Sequence, residues 1–135
     1  MVEYITGIKG IGKTRLLAQA AAATALNSKG NVIYIDCSDK LNLALPSSIR
    51  LINTKDYNIE SAVEFYGFLV GLCASDYDLT DVFVDSTLEI ISNNETDIND
   101  FMEIVTKASN ATGVNFHFSV CDEYEKELVY QSVSE

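Results

Sequence analysis

Residues 7–14 read GIKGIGKT: Gly7, four intervening residues, then Gly12, Lys13 and Thr14. This spacing is suited to holding phosphate. Backbone N–H groups converge on an anion only where the chain can take positive φ and approach closely, and Gly7, Gly10 and Gly12 permit both. A helix opening at this point adds free N–H groups and the positive end of its dipole. The Lys13 ammonium would reach the β- and γ-phosphates, and the Thr14 hydroxyl can ligate Mg2+. The residues expected to contact a nucleotide are Gly7, Gly10, Ile11, Gly12, Lys13, Thr14 and Arg15. A chance match in a chain this long has a probability on the order of half a percent. Lys9 is read as a solvated loop lysine.

Mg2+ on a nucleotide is commonly held in part by a carboxylate at the end of a neighbouring strand. The stretch DVFVD places Asp85 there, so Thr14 and Asp85 are the expected metal ligands. Asp81 opens the same strand and belongs at the far edge. Asp36 ends the run VIYID, where it can orient water, hold Mg2+ through water or bond the loop backbone. Asp36 and Asp39 are the candidate catalytic acids, and Glu89 is a weaker one. His117 alternates with Phe116 and Phe118, which puts it on the other strand face as a packed or surface residue. Ser119 and Cys121 fall nearer the functional edge, where a polar side chain can sense the γ-phosphate.

These residues need a scaffold. Apolar runs at 2–7, 31–37, 49–53, 81–87 and 115–121 read as strands. Helical patterns cover 14–27, 58–75 and 98–111. Ser28-Lys29-Gly30 is a plausible glycine cap for the first helix, and Asn58 an N-cap for the second. The inward stripe of the second helix is expected at Ile59, Ala62, Val63, Tyr66, Leu69, Val70 and Cys73. That of the third is expected at Ile98, Phe101, Met102, Val105 and Ala108. Residues 38–48 and 92–97 read as irregular, and 123–133 fit a polar helix or a final edge strand equally. Strands alternating with helices predict a three-layer α/β fold with a mainly parallel sheet. Its right-handed crossovers gather the strand ends, and so the candidate residues, along one edge.

At 135 residues the chain is expected to be a single domain, 1–135, with a core that needs no staples. Its three cysteines are widely spaced, which argues for reduced, buried thiols rather than a zinc site or disulfides. Twenty acids against nine bases give a net charge of −11, which disfavours direct nucleic acid binding and repels anionic membranes. No run is apolar enough to span a bilayer, and the first residues do not form a signal peptide. A cytoplasmic location is expected.

With these pieces placed, the sequence resembles the RecA/KaiC-type P-loop ATPase core over residues 2–121. EYITGIKGIGKTRLLAQAA resembles its first strand, phosphate loop (Walker A) and first helix. NVIYIDCSD resembles the second strand, TDVFVDSTLEIIS the Walker B strand, and SNATGVNFHFSV the helix end and strand that follow. The resemblance implies ATP and Mg2+ as ligands, with Gly12, Lys13 and Thr14 on the phosphates and Asp85 as the Walker B acid. The family's catalytic glutamate commonly stands two residues past an acid placed like Asp36; here that residue is Ser38, followed by Asp39. The resemblance therefore implies an ATP-binding domain with weak hydrolysis, working with a protein partner or further copies of itself. Two other readings stay open: a degenerate phosphate-loop scaffold for protein interaction, and a small-molecule phosphotransferase. The latter lacks an arginine-bearing lid, since Arg15 and Arg50 are the only arginines. A GTPase is disfavoured because NTKD at 53–56 lacks the guanine-reading spacing, and an AAA+ ATPase because Asp85 is followed by serine rather than glutamate.

Overall fold

The computed structural model describes residues 1–7, 12–37, 45–91 and 95–121. Five strands, β1 (Val2–Gly7), β2 (Asn31–Asp36), β3 (Ile49–Asn53), β4 (Leu79–Val84) and β5 (Asn115–Cys121), form one sheet in the order β1-β5-β4-β2-β3. Every pairing is parallel. Helices α1 (Lys13–Asn27), α2 (Ala62–Ser75), α3 (Thr87–Ile91) and α4 (Glu95–Thr112) connect them, with a short 3-10 turn at Thr54–Tyr57.

A parallel sheet needs cover on both faces, and the strand residues divide accordingly. On one face Val32, Tyr34, Ile49 and Phe83 pack against Leu17 and Ala21 of the alanine-rich α1. On the other, Ile33, Ile35, Val82, Val84, Phe116 and Phe118 meet Phe65 and Leu69 of α2, Leu88 and Ile91 of α3, and Ile98, Phe101, Met102 and Val105 of α4. The result is the three-layer α/β arrangement expected from the alternation of strands and helices. The stripe expected on α4 is buried as far as Val105. The stripe expected on α2 packs on the core at Ile59, Ala62, Tyr66, Leu69 and Cys73, whereas Val63 is 82% exposed, Val70 faces outward, and Phe65 joins the core in their place. This helix is apolar nearly all round, so its sequence period does not fix which side faces the sheet.

Several element ends also differ from expectation. Residue 58 does not cap α2. Asn58 takes a left-handed conformation that closes the 3-10 turn, and Ser61 caps the helix by accepting from the Glu64 N–H. The strand β4 begins at Leu79 and ends at Val84 rather than running to residue 87, because Ser86 turns left-handed (φ 56°) and Thr87 starts α3. Helix α4 starts at Glu95, within the stretch expected to be a loop. The segments 38–44 and 92–94, including Ser38 and Asp39, lie outside the described residues, as does the ambiguous stretch at 123–133.

Gly30 does not cap α1 in a left-handed turn; the cap residue is Ser28, in extended conformation. Glycine is needed at 30 for space. A Cβ there would lie 2.2 Å from the Asp78 carbonyl oxygen and 2.5 Å from Thr80 Cγ2, where Asn31 N–H bonds Asp78 O and starts the β2–β4 pairing. Backbone, not a flexible side chain, must then give way. Gly30→Ala is expected to cost about 2 kcal/mol, read as a lower urea midpoint with an unchanged slope.

Candidate functional site

The parallel register carries the strand ends to one edge. Ile5 pairs with Ser119, Phe118 with Val84, Val84 with Ile35, and Asp36 with Asn53. One residue beyond Val84, Asp85 therefore falls in a row with Ser119 on one side and Asp36 on the other. Gly7 ends β1 at the same edge, paired with Cys121. The strand beside β1 is β5, so Asp85 is not on the neighbouring strand, contrary to expectation. It stands two strand spacings away, about 10 Å, with Ser119 between.

The phosphate-loop candidates Gly10 and Ile11, together with Ile8 and Lys9, lie outside the described residues. Gly12 is left-handed at φ 86° and ψ 29°, and its carbonyl accepts the Leu16 N–H at 3.0 Å. A side chain at this φ is disfavoured, although a Cβ there would meet only the Arg15 guanidinium, at an ordinary 3.7 Å. Gly12 is thus the N-cap of α1, and having no side chain it leaves the first-turn N–H groups without a side-chain cap. No acid lies in that turn. Lys13 is half-buried, and Thr14 and Arg15 are exposed on it. A helix start with no side-chain cap and no acid in its first turn is favourable to an anion.

Asp85 is 3% exposed and closely held. Its Oδ1 accepts from the Ser119 hydroxyl at 2.6 Å and from the Ser86 N–H at 2.9 Å, and its Oδ2 from the Tyr34 hydroxyl at 3.3 Å. Its own N–H continues the sheet to Ile35 O at 2.8 Å. The left-handed Ser86 points its N–H toward both Asp85 Oδ1 and Ser119 Oγ, the latter at 3.1 Å. Burial raises the Tyr34 phenol, and the charges of Asp85 and Asp36 raise it further, so the hydroxyl stays a neutral donor. Asp36, also buried, accepts the Cys37 N–H at 2.7 Å, so it bonds the backbone where the loop begins.

The other candidates separate from this group. The Cys37 thiol lies in the core of the opposite face and donates to Glu89 at 3.3 Å. Burial first and Glu89 second push the thiol up to about 11, too high for a thiolate nucleophile near neutrality. His117 sits lower in the sheet, between Glu3 and Asp81, as a packed residue. A hollow of about 390 Å3 lined by Ala23, Thr24, Asn27, Ser28 and Asp81 lies at the end of α1 remote from Gly12. Neither Tyr34 nor the Ser119–Asp85 bond was legible as part of the site. Tyr34 shares a strand face with Asp36, but only the strand order shows that this face meets Asp85.

Among the described residues no group of three or more His, Cys, Asp or Glu side chains is placed to hold a metal ion. The donors toward the sheet edge are two buried carboxylates, Asp85 and Asp36, and the exposed Thr14 hydroxyl at the start of α1. Such a set suits Mg2+, which keeps several waters and is bound through one or two carboxylates together with substrate phosphates. No helix among the described residues is long and apolar enough to cross a membrane.

No protein-family profile matches the chain, and no curated protein sequence matches it. Among solved structures it is similar to the flagellar accessory protein FlaH from Methanocaldococcus jannaschii. The TM-score is 0.67 at 16% identity, over 98% of this chain and 67% of that one. At this identity the likeness is one of fold, and the architecture is a three-layer α/β fold of the RecA-like kind.

Proposed function

We propose that this chain is a Mg-ATP-binding RecA-like domain with weak hydrolysis that works with partner subunits. The observation that carries the reading is the pairing of a left-handed Gly12, opening the uncapped start of α1 at Lys13-Thr14, with the buried Asp85 on the same sheet edge. Gly7, Gly10, Gly12 and the backbone of Ile11 would wrap the phosphates, with Lys13 and Arg15 supplying positive charge. Thr14 and Asp85 would hold Mg2+, which would offset the charge of the phosphates. Asp36 and Asp39 are the acids available to orient water. Weak hydrolysis is expected because Ser38 stands where the resembling family carries glutamate.

Calorimetric titration of ATP and GTP with Mg2+ tests the reading. ATP binding with slow phosphate release is the expected result, and the absence of any nucleotide binding would overturn it. Molecular mass measured with and without ATP tests the partner: assembly on adding ATP supports homo-oligomeric action, and a monomer in both states counts against it and favours a sensor or scaffold.

A further inference from the structure

Asp85 has three donors, and none of them carries charge. The Ser119 hydroxyl comes from β5, the Tyr34 hydroxyl from β2, and the Ser86 N–H from the turn after β4. Among the described residues no lysine or arginine pairs with it. A buried carboxylate usually has a cationic partner. This one is held by neutral hydrogen bonds, so a bound cation is a fitting source of counter-charge.

The donors are also unevenly shared. A carboxylate offers about four acceptor positions. Ser119 and Ser86 take both on Oδ1, and Tyr34 takes one on Oδ2, which leaves Oδ2 a single open position. With a neighbouring strand gripping it on each side, the side chain has little rotamer freedom left.

From this geometry we infer that Tyr34 and Ser119 are positioning residues that aim Oδ2 of Asp85 at the Mg2+ of the bound nucleotide. The inference rests on the nucleotide-binding reading. It adds two hydroxyls, from the strands on either side, that fix which oxygen the metal or its water meets. Loss of a group that orients a metal ligand from behind typically costs roughly 10–100-fold in metal affinity.

The test measures Mg2+ dependence separately from nucleotide binding and from stability. Wild type, Tyr34→Phe, Ser119→Ala and Ser119→Thr are titrated with a fluorescent ATP analogue, in EDTA and across a Mg2+ series. Thermal melting is recorded for each, as is the Mn2+ electron paramagnetic resonance spectrum of the nucleotide complex. Tyr34→Phe and Ser119→Ala are expected to need roughly tenfold more Mg2+ and to give an altered Mn2+ spectrum, with affinity in EDTA unchanged. Ser119→Thr, which keeps the hydroxyl, restores the wild-type midpoint. If both deletions melt earlier yet keep the wild-type Mg2+ midpoint, the hydroxyls only satisfy a buried carboxylate and the inference is overturned. If the wild type binds no nucleotide, the nucleotide reading itself falls and the inference falls with it.

Discussion

Lys13→Ala is expected to weaken ATP binding by about 2–3 kcal/mol, roughly thirty- to a hundred-and-fiftyfold, while leaving the melting temperature within a degree or two. The two halves of this expectation have separate causes. Lys13 is the first residue of α1, and its half-buried side chain is not part of the apolar core that seats the helix on the sheet through Leu17 and Ala21. Alanine is also the best helix former, so the backbone loses nothing. On the proposed reading the nucleotide would lose a point charge placed to reach its β- and γ-phosphates. In a chain of net charge −11 the background field repels ATP, and no acid in the first turn can be relieved by the change. Raising salt should weaken wild-type binding more than variant binding, because the variant has less local attraction to screen. Equal affinity in wild type and Lys13→Ala would leave the phosphate loop without its assigned role.

The sequence made the layer architecture and one edge of the site legible, for a specific physical reason. Strands buried on both faces read as continuous apolar runs, as in VIYID and VFVD, and their final acids mark the sheet edge. His117 was legible in the same way, since strict alternation with Phe116 and Phe118 assigns its face. Strand order was not legible. Nothing in DVFVD states that β5 inserts between β1 and β4, so Ser119 could be placed near the edge but not against Asp85. Nor could β2 be placed beside β4, which is what brings Tyr34 to Oδ2. Gly30 shows a second limit. A glycine after a helix has two uses, a left-handed cap or a close approach. Here a tertiary contact with Asp78, distant in sequence, decides for the second.

The largest stability effect is expected at the opposite end of the sheet from the phosphate loop. His117 lies flat on Phe83, with ring centroids 4.1 Å apart, and its nitrogens meet Glu3 Oε1 at 2.5 Å and Asp81 Oδ2 at 2.8 Å. The side chains of His117 and Asp81 are 6% and 10% exposed, whereas that of Glu3 is 49% exposed. On removal of the imidazole, Glu3 can turn to water, whereas the mostly buried Asp81 keeps only the donation of Thr80 and Asn115. His117→Ala is therefore expected to cost about 3 kcal/mol, most of it from the stranded Asp81. Adding Asp81→Ala should recover much of that loss, because removing both partners leaves no buried charge. The pH dependence has its source in Asp81. Burial alone would raise its carboxyl, but donation from His117, Thr80 and Asn115 outweighs burial and holds it below the ordinary 3.8. A carboxyl lowered in the folded state contributes stability above its unfolded value, and that contribution is lost as pH falls through the folded one. In His117→Ala burial acts with less opposition, so the carboxyl rises and protonation relieves the variant. The stability gap between wild type and His117→Ala, measured by urea denaturation, should thus narrow between neutral pH and about pH 3. A gap that stays constant across that range would assign the loss to stacking on Phe83 rather than to the charge of Asp81.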